Sequence, residues 1–417
     1  MSATALIFLL SACQLLDSAA FPSRRRGSCL PQPTYYSDTS RIPAGDTTLP
    51  EWKTRRDTNL YFSAVIVPSG YDWHRDSACG ASECRLVLYK NYKEIASVKT
   101  GSAECVSTDP DTHHILNGHL YTEYSSLKET VIKKDGAELF RYSGREFLKG
   151  MLCRGDELWT LGQDRSGEGF CLRKNGEEIF RSNKGEVFGD LHLNPGGGLY
   201  TDNGRICFCY CIKSASGTLL YRVSDALETP VDNFSYKVHD LRVYDGDVAL
   251  LVSPSEQAGP QIIYRGVTEE VWNGSGVALA EGYLLATPQG LGAAGFLNNG
   301  LRYPLTFSYW CGVSSINPSC TNYYVYPCQN GLSYISYEKG SVRLTLSRGA
   351  SWSSSEQCYF FSRSCAVTDG NRYSVALTPY KKDGKPYIVT DGHTHTIDIY
   401  GFITNLEETV EEYAYSN

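Results

Sequence analysis

The sequence predicts an all-β fold, and three observations predict it. The first is a repeat. K-K-D-G-A-E-L-F-R (133–141), R-K-N-G-E-E-I-F-R (173–181), S-A-S-G-T-L-L-Y-R (214–222) and A-G-P-Q-I-I-Y-R (258–265) share a turn glycine, an alternating run and an aromatic–Arg pair. Their glycines, Gly136, Gly176, Gly217 and Gly259, stand 40, 41 and 42 residues apart. The second is phase: apolar and polar residues alternate with period two inside each unit, which suits strands and not helices. The third is composition, since 30 Tyr and 39 Gly against 2 Met in 417 residues favour strands joined by tight turns. Four short antiparallel strands in roughly 40–45 residues make one blade of a β-propeller, whose core lies between stacked blades.

The elements follow in chain order. The N-terminus reads M-S-A-T-A-L-I-F-L-L-S-A-C-Q, with an apolar run from Ala5 to Leu10. That run is too short to span a bilayer and suits a signal-peptide core. Leu10-Ser11-Ala12-Cys13 resembles the lipobox of bacterial lipoproteins. The resemblance implies that residues 1–12 are a signal peptide and that Cys13 is lipidated. Several acyl chains on one cysteine would anchor the protein stably, as a single chain does not. Gln14, where an Asp would retain such a protein at the inner membrane, implies an outer-membrane destination, periplasmic or surface-facing.

Residues 13–56 read as a tether, with Pro22, Pro31, Pro33, Pro43 and Pro50 interrupting any regular pairing. Asp17-Ser18-Ala19, Asp46-Thr47-Thr48 and Asp76-Ser77-Ala78 resemble the O-glycosylation motif of exported Bacteroidetes proteins.

Residues 57–417 are the predicted propeller. Its first unit starts at a second strand, Leu60–Ala64, and places Tyr92 in the glycine slot. After Gly259 the slot passes to Gly300, Gly349 and Gly384, which makes about eight blades, with seven as the alternative. Leu120-Tyr121-Thr122, Leu158-Trp159-Thr160 and Leu199-Tyr200-Thr201 mark second strands. H-T-I-D-I-Y-G-F-I (395–403) is the spare strand expected to pair with the first blade and close the ring.

Of 15 cysteines, a lipidated Cys13 leaves an even 14, as an oxidising compartment favours. Candidate disulfides join Cys79 with Cys84, Cys311 with Cys320, and Cys358 with Cys365; Cys328 competes for Cys320. In I-C-F-C-Y-C-I-K (206–213), Cys207, Cys209 and Cys211 share one face of a strand placed third in its blade. Same-face neighbours lie about 6.6–6.8 Å apart at Cα, the outer edge of disulfide reach. A zinc site needs a second pair of ligands that this segment lacks, so packing thiols are expected.

Six histidines map to inferred innermost strands: His113, His114, His192 and His239, with His393 and His395 leading into the closing strand. On that topology His393 and His395 meet His113 and His114 at one channel end. Neutral imidazoles there would bind a metal and protonated ones an anion; otherwise they are hydrogen-bonded lining. No other cofactor is implied.

The net charge of −7 offers no basic stripe to phosphates, so nucleic acid is disfavoured as a partner. No nucleophile elbow, phosphate loop or zincin motif is present in the sequence. The expected function is a lipid-anchored envelope scaffold that binds envelope proteins or glycans, without catalytic residues. The alternatives are a carbohydrate-active hydrolase or lyase at the channel mouth, resting on fold analogy, and a structural subunit of an envelope complex.

Overall fold

Period-two alternation becomes strand throughout the computed structural model, which has no α-helix among its described residues. The structure describes residues 52–416 except 69–82, 102–103, 105, 108–111, 165, 189–196, 215–216, 235–236, 245–246, 255–259, 271–278, 288–289, 298–303, 309–321, 329–330, 339–340, 346–350, 360–363, 369–371 and 380–383. The signal peptide, Cys13 and the tether to residue 51 lie outside the described residues. Residues 54–414 form one compact unit, and 1–53 with 415–417 a second. The larger unit contains every copy of the sequence repeat.

Its strands form eight antiparallel sheets among the described residues. The first holds β1 (Trp52–Ile66), β2 (Arg85–Lys90) and β3 (Lys93–Lys99). The second runs β4 (His113–Leu116), β5 (His119–Ser125), β6 (Glu129–Lys134), β7 (Ala137–Ser143). The third runs β8 (Glu146–Arg154), β9 (Glu157–Asp164), β10 (Phe170–Lys174), β11 (Glu177–Ser182). In the fourth, β12 (Glu186–Val187) and β13 (Tyr200–Asp202) both flank β14 (Arg205–Ser214), followed by β15 (Gly217–Ser224) and β16 (Leu227–Phe234). The fifth runs β17 (Lys237–Tyr244), β18 (Asp247–Ser253), β19 (Gln261–Tyr264), β20 (Val267–Glu270). The sixth has β21 (Leu279–Thr287), β22 (Gly290–Leu297) and β23 (Pro304–Ser308). The seventh runs β24 (Asn322–Cys328), β25 (Gly331–Glu338), β26 (Ser341–Thr345), β27 (Ser351–Ser353). In the eighth, β28 (Cys358–Tyr359) and β29 (Cys365–Thr368) flank β30 (Arg372–Pro379), then β31 (Tyr387–Thr390) and β32 (His393–Thr396). The last strand, β33 (Gly401–Ser416), lies beside β1 at the edge of the first sheet.

Each sheet is a meander, and successive sheets meet through first strands: β17 against β21, β21 against β24, β24 against β29. This is propeller architecture. Two-residue turns join most first to second and third to fourth strands on one face of the unit, 346–350 in the seventh sheet being longer. They include Asn117–Gly118, Asp135–Gly136, Asn175–Gly176, Asn203–Gly204 and Asp391–Gly392, with both φ angles positive in each. Those are the mirror-image hairpin turns whose twist matches the strands. The long connections 67–84, 100–112, 254–260, 271–278 and 298–303 all run between strand ends on the opposite face.

One cap repeats from sheet to sheet. Asn91, Asp135, Asn175, Asp225 and Asp391 each start an outer turn, and each side chain accepts the backbone N–H of a residue on the second strand: Leu60, Leu120, Leu158, Ile206 and Tyr373, at 2.8 to 3.0 Å. The turn residue's own N–H returns a bond to the same partner's carbonyl. Asn and Asp serve because they tolerate a left-handed backbone and carry a short acceptor. Asn175→Ala is expected to lower stability by about 2 kcal/mol, from the lost acceptor and the left-handed backbone together. Asn175→Gly should recover only the backbone part. Equal denaturation midpoints for the alanine variant and the parent would refute the cap's role.

The turn glycine does a second job. At Gly176 (φ +82°) a Cβ would lie 2.5 Å from the Phe140 ring of the preceding sheet. Phe140 of the second sheet therefore packs under the Asn175–Gly176 turn of the third, and Val98 of the first takes the same place under Gly136. Outer strands of the first three sheets also carry a bulge at Ile95, Leu139 and Ile179, each skipped by its ladder. Bulges twist an open edge away from unwanted strand pairing.

Three placements differ from the sequence reading. Gly136 and Gly176 head third-to-fourth turns, but Gly217 opens β15, a third strand, so the repeat pattern runs one strand out of phase at the fourth sheet. The true outer turn there is Asp225–Ala226, which has no glycine to mark it. Leu199-Tyr200-Thr201 accordingly leads into a first strand, and Cys207, Cys209 and Cys211 sit on a second strand rather than a third. Finally, 393–396 is β32, the outermost strand of the eighth sheet; the strand beside β1 starts at Gly401.

Candidate functional site

The C-terminal strand is fastened by a buried polar seam. Thr404 Oγ1 lies 3.0 Å from Ser63 Oγ on β1 and 2.7 Å from His113 Nε2 on β4. Asn405 Nδ2 donates to the His113 carbonyl at 3.2 Å and to Ser63 Oγ at 3.1 Å. Ser364, just ahead of β29, donates to the Ile403 and Thr404 carbonyls. Glu407 accepts the turn amides of Asn117 (3.1 Å) and Gly118 (2.9 Å). Burial pushes its carboxyl up, and those amides partly oppose the shift. Glu408 accepts from Ser374 Oγ at 2.6 Å and Arg372 Nε at 3.2 Å. One strand thus ties the first, second and eighth sheets.

The histidines do not gather as the sequence suggests. His113 and His114 are buried on opposite faces of β4; His113 meets β33, while both ring nitrogens of His114 have no hydrogen-bond partner among the described residues. His239 lies on β17, 2.8 Å from Ser253 Oγ, and burial followed by the Lys237 charge pushes it down to about 4, so it is neutral at pH 7. His393 and His395 are exposed on β32, with the His395 ring 3.8 Å from that of Tyr92. An outer strand cannot share a channel end with β4, so the expected convergence with His113 and His114 is not formed. His192 lies outside the described residues. Among the described residues no three His, Cys, Asp or Glu side chains are grouped to hold a metal.

A buried ion pair lies within the third sheet, between β8 and β10, beneath Tyr142 of the second. Arg173 Nη1 and Nη2 meet Glu146 Oε2 and Oε1 at 2.5 and 2.7 Å, with both side chains under 8% exposed. The Tyr142 ring lies 4.0 Å from the guanidinium carbon, and burial plus the Glu146 charge push the phenol up. Glu146 fits because Gly162, opposite, has no side chain to collide with it.

A second cluster spans the fourth to sixth sheets. Asp240 accepts the Leu284 N–H at 2.6 Å and the Leu241 N–H at 2.8 Å. Arg242, two residues along the same strand, donates from Nη1 to the Leu284 carbonyl at 3.1 Å. Its guanidinium lies 5.8 Å from the Tyr200 ring centre, and Tyr200 Oη is 2.9 Å from Cys209 Sγ. Burial pushes Asp240 up to about 6 despite both amides and Arg242.

The thiols belong to packing. Cys209 and Cys211 lie among Leu220, Leu241, Leu250 and Val252, while Ile206, Phe208 and Tyr210 face the third sheet. Burial pushes Cys207 and Cys209 up and takes Cys211 to about 11 and Cys171 to about 12. A thiol held protonated is a poor nucleophile and a poor metal ligand. Cys84 is disulfide-bonded, its partner's side chain lying outside the described residues, as do Cys79, Cys311 and Cys320. Cys358 and Cys365 are buried thiols. They pair with Pro379 and Val375 on β30, four residues apart, so their Cα atoms stand about 13 Å apart, beyond disulfide reach.

Sequence reasoning misses Glu146–Arg173 and Asp240–Arg242 because neither forms a motif. The available signal is a charge in the inward phase of an apolar strand: Arg173 shares a face with buried Cys171, and Asp240 neighbours buried Leu241.

No family model matches this chain, and no curated protein matches it. Among solved structures, it resembles a prolyl endopeptidase at 8% identity and TM-score 0.40, over 72% of this chain and 49% of that one. It resembles the dihydro-heme d1 dehydrogenase NirN at 11% identity and TM-score 0.48, over 84% and 74%. It resembles the β-propeller domain of the Trilobed protease from Pyrococcus furiosus at 10% identity and TM-score 0.36, over 69% and 94%. The chain spans about half the length of the endopeptidase. At these identities the likeness concerns fold alone.

Proposed function

We propose that this propeller is a binding scaffold of the cell envelope, anchored through a lipid on Cys13, that presents its long-connection face to an envelope protein or a glycan. The observation that carries the reading is the asymmetry of the two faces. Most connections on one face are two-residue turns, with 346–350 and the start of 309–321 as exceptions, while the connections 67–84, 100–112, 254–260, 271–278 and 298–303 join strand ends on the other. Variable connections on a rigid scaffold are where recognition is placed.

The test uses the full chain with photo-crosslinking residues at Lys128 or Glu168 on the long-connection face, and at Asp156 or Glu177 on the turn face. Crosslinks to an envelope protein or an arrayed glycan are expected from the first pair only. Capture from the turn face, or from neither face, would overturn the scaffold reading. Lipid labelling and vesicle flotation lost in Cys13→Ser test the anchor separately.

A further inference from the structure

The long-connection face carries an arginine with no anion to hold. Arg145 stands between β7 and β8, and among the described residues no hydrogen bond or ion pair engages its guanidinium. Its Nε–H is shielded from solvent and has no acceptor. The guanidinium carbon instead lies 4.9 Å from the centre of the Phe147 ring, and Phe147 is 44% exposed. A donor shut off from water without an acceptor costs about 1–3 kcal/mol, so the arrangement calls for a reason.

Two more cations flank this pair. Gly144 donates its N–H to the Lys128 carbonyl, which brings the 126–128 turn beside Arg145. Phe147 pairs with Gln163, whose amide donates to the Gly185 carbonyl, next to Lys184. Lys128 and Lys184 are exposed, and among the described residues neither ammonium has a carboxylate partner. The carboxylates next to these residues in chain and ladder are already engaged: Glu129 by Arg141, Glu146 by Arg173 and Glu186 by Lys213. Asp164, opposite Glu146 in the ladder, accepts Ser166 Oγ within its own loop. A chain of net charge −7 thus leaves three cations here without ion-pair partners around one exposed ring.

We propose that Arg145, Phe147, Lys128 and Lys184 form a docking site for an acidic peptide segment of a partner protein, with a carboxylate on the guanidinium and an apolar neighbour against Phe147. The proposal rests on the reading of the long-connection face as the binding face and names what that face takes. A guanidinium meets a carboxylate with two parallel N–H donors, and arginine is enriched with aromatics at interface hot spots. Leu127, 68% exposed on the 126–128 turn, adds aliphatic surface, and the guanidinium already covers one face of Phe147. Both features favour a peptide's acidic and apolar side chains over the hydroxyls and stacking faces of a glycan.

The experiment selects random nine-residue peptides on the full chain, then measures the enriched peptides against parent and variants. Enriched peptides are expected to carry Asp or Glu beside an apolar residue, and their affinity to fall as salt rises. Arg145→Gln should weaken them by about 10-fold or more and Phe147→Ser comparably. Arg145→Lys should weaken them less, because lysine keeps the charge without the fork. Lys93→Gln, on the turn face, should leave binding unchanged. Peptides enriched without acidic residues overturn the proposal, as does unchanged affinity in a folded Arg145→Gln chain. No enrichment at all, or Arg145-dependent capture of an oligouronide in place of a peptide, overturns it too. Each of these results spares the scaffold reading while crosslinks still come from the long-connection face alone, so the two fail separately.

Discussion

Arg173→Met is expected to cost about 3–5 kcal/mol of stability, because it strands the Glu146 carboxylate without its partner in a site under 8% exposed. The pair is bidentate and covered by the Tyr142 ring, so surface screening does not reduce the effect. Replacing both partners, Arg173→Met with Glu146→Met, should recover most of the loss, since two apolar side chains of similar volume leave no buried charge. Chemical denaturation of the two single variants and the double variant measures the cycle. A single-variant loss below about 1 kcal/mol would mean the pair is hydrated in solution and does not fasten the third sheet.

Ending the chain after Tyr400 should abolish cooperative folding. β33 supplies buried Ile403 and Leu406, each worth about 1.5–3 kcal/mol on burial. Its loss also strips partners from Ser63, Ser364, Ser374 and the Asn117 and Gly118 amides, which join three sheets. Each polar group left buried without a partner adds about 1–3 kcal/mol. Together these reach the usual stability of a whole domain, about 5–15 kcal/mol. A peptide of residues 401–417 added in trans should restore a cooperative thermal transition. A truncated chain that melts cooperatively at the parent's temperature would show that the seam contributes little.

Much of the architecture is legible in the sequence. Leu158–Leu161, Phe170–Arg173 and the 206–213 segment are correctly legible as strands, because period two is a property of single strands, but both of their faces are buried between neighbouring sheets. The D-G and N-G pairs at 135–136 and 175–176 mark true outer turns for the same local reason. The phase slip at Gly217 shows the limit. S-A-S-G-T-L-L-Y-R has the local pattern of an outer hairpin, yet its place in the sheet is decided by pairing with β14 and β16.

The sites are less legible. Glu146 and Arg173 are 27 residues apart and Asp240 and Leu284 are 44 apart, so no local window contains either contact. Likewise the sequence pattern puts His393 and His395 near the channel because it starts the closing strand a few residues early. A two-residue turn at Asp391–Gly392 instead sends them to the outer edge of the eighth sheet.

By itself, then, the sequence determined that the chain is built of strands, which residues of each strand share a face, and that the units repeat. Those properties follow from backbone period and turn chemistry, which act within a few residues. Only the tertiary structure decided which strand fills which place in its sheet, that β33 holds three sheets at once, and which carboxylates are buried. These depend on side chains and peptide groups that lie tens to hundreds of residues apart in sequence and meet only when sheets stack.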